Sequence, residues 1–390
     1  MVLVRAVFFL LAMAVNLGAQ PLSKGFEYFY SLDYDESVAE FERAVAANPE
    51  DPEAYNHLAQ ALLYREMFHA GALESELVTG NNPFLRRQKM EPRAENIKRF
   101  DEAIAKAMSL AQARVSQNPR DAKANYALGV AYGFRANAGF VIRKAYMDAL
   151  RDATQSRKLC NLVTEIEPGN VDAKLVQGLH DYVVGSLPFY MKFVGFLAGF
   201  RGDKEKGIAT VKMVSEKGTL NKLDAQILLG VIYRRERRAA DAIPLLRPMI
   251  ARFPRNYLFR LELAQMYSDL GDKAKALETF DEIERLKKAG TKGYERLSGE
   301  RLAFARGNML FWYQDFDAAI EQLKLATAHP ESLDLNNATM AWMRLGQCYD
   351  MKKQRAAAKP AYRAAIQMAP ASEVAKESRR YLDAPYVRRD

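Results

Sequence analysis

The sequence predicts an all-α protein, an α-solenoid of stacked helix–turn–helix units. Three observations carry that expectation. From Pro21 onward, apolar residues recur at three- and four-residue spacing, the period of a helix with one buried face, and alternating β-branched runs are scarce. Prolines fall at the ends of these stretches, where a residue without an N–H stops a helix. One arrangement of large and small residues also returns along the chain. The composition agrees. Of 390 residues, 49% are hydrophobic and 27% charged, enough apolar surface to fill a core and to exclude a disordered chain. Two cysteines exclude a disulfide-stapled scaffold. The net charge of +9 is spread thinly and inclines the surface only weakly toward anionic partners.

The returning arrangement is clearest near the C-terminus, in Trp342, Leu345, Gly346, Tyr349, Ala358, Tyr362, Ala365 and Pro370. Small residues at Gly346 and Ala358 let two antiparallel helices approach. Large ones at Trp342, Leu345, Tyr349 and Tyr362 fill the space around that contact, and Pro370 sets the turn into the next unit. These eight positions resemble, in type and offset, the tetratricopeptide repeat (TPR) of roughly 34 residues. The resemblance implies stacked TPR hairpins wound as a right-handed superhelix, with ligand-contacting side chains on the first helix of each hairpin.

The elements follow in chain order. Residues 1–19 have a short positive start, the apolar run Ala6–Val15 and Leu17-Gly18-Ala19, the layout of a cleavable signal peptide, so the chain is expected to be exported and periplasmic or secreted. An uncleaved N-terminal anchor is the competing reading. Residues 20–63 hold N-terminal units, marked by Gly25, Phe41, Pro49, Leu58 and Ala59. Residues 64–93 read as an insertion, since Pro49 and Pro119 lie 70 apart with one first helix between them. Residues 94–220 contain stretched, degenerate units around Gly129 and Gly178, including an overlong second helix from Gly139 to Glu167. Regular units occupy 221–288 and 300–372, separated by a loose connector, 289–299, with Gly290 and Gly293. Residues 373–390 form a C-terminal capping helix and tail. Eight first helices result.

One stretch departs from the array. Residues 182–200, YVVGSLPFYMKFVGFLAGF, carry a single charge, Lys192, with Pro188 and three glycines. Length permits a membrane span, but the central Lys and Pro oppose one. Two readings remain: a buried apolar hairpin, or a membrane-surface hairpin touching lipid through Phe189, Tyr190, Phe193 and Phe196. The run from Phe196 to Gly207, preceded by Gly185-Ser186-Leu187-Pro188, is similar to a signature of the eukaryotic inclusion-body-clearance TPR family of the mitochondrial outer membrane. Over 182–217 this implies a shared hairpin and membrane proximity, not a shared task.

Little in the sequence points to catalysis, a cofactor or a metal. His57, His69, His180 and His329 have no His partner at i+3 or i+4, and phosphate-loop and nucleophile-elbow motifs are missing. Cys160 and Cys348 lie in distant units, and a solenoid brings only neighbours together, so each is expected to pack as a small apolar residue. No aromatic–basic interleaving suggests nucleic acid, and Arg234-Arg235-Glu236-Arg237-Arg238 reads as a charged helix end.

The first-helix wall is therefore the candidate site. The position after the central small residue holds Phe26, Gln60, Val130, Leu179, Val231, Gln265, Asn308 and Gln347. Four are amides, able to donate and accept along an extended peptide backbone. Arg344, one turn before Gln347, and Arg301 add attraction for a carboxylate. The expectation is a non-enzymatic scaffold gripping a protein or peptide segment through Gln60, Gln265, Asn308, Gln347, Arg344 and Arg301. A membrane-associated organiser is the alternative. The Lys/Asn clamp of chaperone-tail-binding TPR proteins is not reproduced: Asn56 and Lys123 fit it, Tyr126 and Leu175 do not.

Overall fold

The computed structural model describes residues 23–73, 92–186 and 202–388, and among them every regular element is helical. Among these residues seventeen α-helices pair into eight hairpins and a cap. The hairpins are α1 (Lys24–Tyr30) with α2 (Tyr34–Ala47), α3 (Pro52–His69) with α4 (Ala94–Gln117), α5 (Ala122–Ala138) with α6 (Tyr146–Ile166), and α7 (Lys174–Gly185) with α8 (Lys204–Lys217). The next four are α9 (Lys222–Arg235) with α10 (Ala239–Arg252), α11 (Tyr257–Asp269) with α12 (Lys273–Lys288), α13 (Gly299–Trp312) with α14 (Phe316–Ala328), and α15 (Leu335–Met351) with α16 (Arg355–Met368). Helix α17 (Glu373–Asp383) closes the stack. Each helix packs on the next, and first helices also touch first helices, α3 on α5, α13 on α15 and α15 on α17. First helices thus adjoin from α3 to α5 and from α11 to α17.

Local sequence explains where helices begin. Asp51, Asp121, Asn256, Ser298 and Asp334 each accept a backbone N–H in the first turn of a first helix, satisfying donors that otherwise have no partner. The proline rule holds with exceptions. Pro244 and Pro248 lie inside α10 and Pro360 inside α16. All three are exposed, so the carbonyls they release face water.

The core runs through the stack as small residues opposed to large ones. At the close approach of α15 and α16, a Cβ on Gly346 would lie 2.6 Å from the Tyr362 ring, and one on Gly25 would lie 2.7 Å from the Phe41 ring of α2. The same repeat position in α9, Gly230, has nothing within 4 Å of it.

Several boundaries differ from expectation. The insertion at 64–93 begins as helix, since α3 continues to His69; residues 74–91 lie outside the described residues. Its two ends are tied together, Arg93 donating to Glu66 from its side chain at 2.8 Å and its backbone N–H at 2.9 Å. The overlong helix from Gly139 is broken. Residues Gly139–Arg143 form a π-turn, Lys144 takes a left-handed φ of 56°, and α6 starts only at Tyr146. Of the apolar stretch 182–200, only residues to 186 are described; Phe189, Tyr190, Phe193 and Phe196 lie outside, as does the signal-like 1–19. Among the described residues no helix is long and apolar enough to cross a membrane. Gly207, from the family-like run, lets α7 and α8 meet backbone to backbone, because a Cβ there would sit 2.4 Å from the Tyr182 nitrogen.

The connector 289–299 is not loose. Gly290 and Gly293 adopt φ of 65° and 96°, and a Cβ on Gly293 would sit 2.2 Å from the Arg255 carbonyl oxygen. That turn drives Tyr294 and Leu297 into the interior, at 0% and 1% exposure. The Tyr294 hydroxyl meets Arg260 at 2.7 Å. Glycine punctuates here because the chain must turn tightly against a neighbour.

The first hairpin closes across the stack onto the fifth and sixth. The α1–α2 turn presents the Tyr30 carbonyl to Asn256 Nδ2 at 2.8 Å and the Leu32 carbonyl to Arg296 Nη1 at 2.7 Å. The carboxylate of Asp33, fully buried, lies 2.9 Å from Arg255 and 2.7 Å from Arg296. The Tyr30 hydroxyl donates to Asp224 at 2.8 Å, and its ring lies 5.4 Å from that of Phe253. Gly71, past the end of α3, approaches Asp334 at the start of α15 so closely that a Cβ would lie 2.9 Å from the carboxylate. Hairpins one and two thus close over α9 at Asp224 and over the start of α11 at Asn256 and Tyr257.

Candidate binding wall of the first helices

The amides expected to line a groove divide into two classes. Gln60 on α3 and Gln347 on α15 are buried, at 5% and 2% exposure. Gln60 faces Asp224 beneath the first hairpin, where burial raises the Asp224 carboxyl and hydrogen bonds from Tyr30 and Gln60 oppose the rise. Gln347 accepts from Arg344 Nη1 at 2.8 Å. Gln265 and Asn308 remain partly exposed. Gln265 donates to Asp269, one turn on, at 2.7 Å, and Asn308 accepts from Arg344 Nε at 3.1 Å. The interior pair became buried because the ends of the stack fold back over them.

Arg344 organises the far end of the wall. Its guanidinium lies 4.5 Å from the Phe311 ring centroid and 4.7 Å from that of Trp312, a double cation–π contact. With its N–H groups shared between Asn308 and Gln347, it bridges α13 and α15 as a flat platform. Burial lowers the Arg344 pKa, with Tyr386 and Cys348 opposing. The expectation that Arg344 draws a carboxylate is thus replaced by stacking. Arg301 sits two turns before Asn308 on α13, its guanidinium 5.5 Å from the Phe304 ring.

Trp312, at the end of α13, is the residue the sequence reading missed. It is 50% exposed and sits against the Arg344 platform. Its signal in the sequence was its departure from the repeat: of the two tryptophans, Trp342 holds a patterned position and Trp312 does not. Around this surface the described residues contain no cluster of His, Cys, Asp or Glu able to hold a metal. Two shallow depressions, about 400 and 430 Å³, lie elsewhere, along α6 (Thr154 to Glu165) and between the turns at Glu167–Asp172 and Lys217–Leu220. Neither presents a convergent reactive constellation.

The other residues singled out have structural employment. Asn56 donates to the Ala127 carbonyl at 2.9 Å, pinning α3 to α5, and Tyr126 accepts from Asn221 at 2.7 Å. In the basic run, Arg234 is buried against Glu262 at 3.0 Å, Glu236 meets Lys204 at 2.7 Å, and Arg238 pairs with Asp241 at 2.7 Å. Cys160 and Cys348 are buried in α6 and α15 as free thiols, both pushed up to about 12 by burial.

Comparison with known proteins agrees with this geometry. Residues 22–74, 233–289 and 341–372 each match a tetratricopeptide-repeat family model. These three segments carry tetratricopeptide repeats. No curated protein matches the sequence. Among solved structures, the APC/C hetero-tetramer Cut9–Hcn1 is similar at 14% identity and a TM-score of 0.50, covering 97% of this chain and 59% of that one. Yeast Tom70 is similar at 13% identity and a TM-score of 0.42, over 92% and 86% of the two chains. The human IFIT1 dimer with m7Gppp-AAAA stands at 14% and 0.46, over 92% and 78%. Identities this low speak to the TPR fold alone. TPR domains typically bind protein or peptide partners, and no enzyme family is among the matches.

Proposed function

We propose that this TPR protein is a non-enzymatic, exported scaffold that binds a protein or peptide segment on the first-helix wall of hairpins six to eight. The observation that carries the reading is Trp312: a half-exposed tryptophan at the end of α13, backed by a stacked arginine that also bonds the partly exposed Asn308. Trp and Arg are among the side chains most enriched where binding energy concentrates. Hairpins one and two already cover α9 at Asp224 and the start of α11 at Asn256 and Tyr257, which leaves α11 from Gln265 onward and hairpins seven and eight as the accessible stretch. A role in assembling other proteins at the cell envelope follows from the signal-like N-terminus joined to this wall.

The test is affinity capture of the exported full chain, with the triple variant Gln265→Ala, Asn308→Ala and Trp312→Ala as the comparison. The partners recovered with the unaltered chain are expected to fall at least tenfold with the variant, a change on the order of 1.4 kcal/mol, while helical content and melting stay unchanged. Equal recovery by both chains defeats the wall as the binding surface. Osmotic-shock fractionation checks export: release of the chain supports it, and retention that needs detergent contradicts the soluble reading.

A further inference from the structure

The last described residues turn back onto the same wall. Helix α17 ends at Asp383, and Pro385 holds the chain extended, Ala384 lying at φ −128°, ψ 137°. Exposure then alternates as in a strand. Tyr386 and Arg388 are partly covered, while Val387 between them is 73% exposed. The covered pair faces hairpins seven and eight. The Tyr386 backbone N–H donates to Asp350 Oδ2 at 2.8 Å, and its ring lies 6.0 Å from Phe311 and 5.3 Å from Tyr381. Arg388 donates to the Trp312 carbonyl at 3.1 Å, its guanidinium 5.9 Å from the indole.

The seat under this tail is fixed by groups other than the tail. Asp350 is held by the Tyr362 hydroxyl at 2.8 Å and by Arg355 at 3.1 Å. Phe311 and Trp312 are held by the Arg344 platform described above. A preformed acceptor for a backbone N–H, an aromatic slot and a carbonyl facing an arginine together select one chemistry. The tail itself is lightly attached, by one backbone hydrogen bond, one side-chain hydrogen bond and ring contacts.

We propose that this seat docks an extended peptide segment bearing an aromatic residue two positions before an arginine, and that residues 384–388 occupy it in cis until such a segment replaces them. The inference rests on the scaffold reading and specifies its partner. The tether gives the tail an effective concentration of roughly millimolar. A replacing segment therefore needs further contacts along the wall toward Asn308 and Gln265, beyond those that residues 384–388 make. The strap thereby filters for partners long enough to use the wall.

The test uses the full chain with Tyr386→Ala and Arg388→Ala, which loosens the strap and leaves α17 intact. The probe is a fluorescently labelled Ala-Pro-Tyr-Val-Arg peptide followed by polarisation. The loosened chain is expected to bind it at least about tenfold more tightly than the unaltered chain. Adding Trp312→Ala, or changing the probe to Ala-Pro-Ala-Val-Ala, is expected to abolish the gain. Should the double variant lose helical content, Arg388→Ala alone gives the same comparison. Equal binding by loosened and unaltered chains, or none by either up to about millimolar probe, overturns the proposal. If partner capture still depends on Trp312 in that event, the strap falls and the scaffold reading stands.

Discussion

The first hairpin and the last described residues are both folded back onto the stack, and they are held by opposite means. The first hairpin is fastened deep. A fully buried Asp33 carboxylate meets two arginines, and two backbone carbonyls of the same turn are received by Arg296 and Asn256. The last residues lie shallow, on rings and two hydrogen bonds, with every second side chain in water. A buried charge can persist only where its partners stay in place, whereas a surface strap loses little by leaving. The difference assigns the ends different tasks: the N-terminal end is architecture and the C-terminal end is exchangeable.

The largest expected effect breaks the first of these. Asp33→Ala leaves Arg255 and Arg296 facing a turn with no anion, and should destabilise the array by about 3 kcal/mol, since removing one partner of a buried ion pair costs roughly 3–5 kcal/mol. Urea unfolding read alongside limited proteolysis at the α1–α2 turn measures it; a change below about 1 kcal/mol would place the two ends on an equal footing.

Acid sharpens the contrast with a smaller loss. His57, packed 4.8 Å from the Phe26 ring and 5.5 Å from Phe41, is held down to about 4 by burial, with Asp51 opposing. A depressed imidazole binds its proton more readily in the unfolded chain. Stability of the N-terminal end is therefore full above pH 6.5 and declines as pH falls toward 4. Protection factors on α1 to α3, taken relative to the intrinsic exchange rate at each pH, should fall across that window, and His57→Phe should remove the part of the fall due to this group. Exchange at α15 to α17 serves as the control.

Glycines at one repeat position give the finest comparison. Gly346→Ala drives a methyl into the Tyr362 ring and Gly25→Ala drives one into Phe41, so each should cost about 1–3 kcal/mol by overpacking. Gly230→Ala meets open space and should stabilise α9 by about 0.5–1 kcal/mol, the helix-propensity gain alone. Thermal melts of the three variants check the order. A loss at Gly230 would show that the mid-array hairpin packs more tightly than its geometry indicates.

The hairpins were legible in the sequence because their determinants are local. Apolar spacing, capping aspartates and the small–large pairing of Gly346 with Tyr362 all act within one unit. All eight first helices lie where the pattern set them. What covers the wall was not legible. Asn256 meets the Tyr30 carbonyl across 226 positions, a closure fixed by the accumulated curvature of several units rather than by any motif. Gln60 and Gln347 carry the same residue type at the same repeat position as Gln265, yet burial separates them because the ends of the chain lie over two of the three. Arg344 likewise reads as an anion-binding charge, and only the neighbouring helix shows that its faces are taken by Phe311 and Trp312. The seat of Tyr386 and Arg388 was not legible either, because Tyr386-Val387-Arg388 does not alternate apolar with polar residues and its covered side shows only against Phe311, Trp312 and Asp350.

Most solenoids behave as springs, each coil sensing only the coils beside it. Latching the first coil to the sixth through Asp33 turns that spring into a hoop. A hoop resists being stretched open, so a pull on any one of these coils is shared by all that the latch encloses.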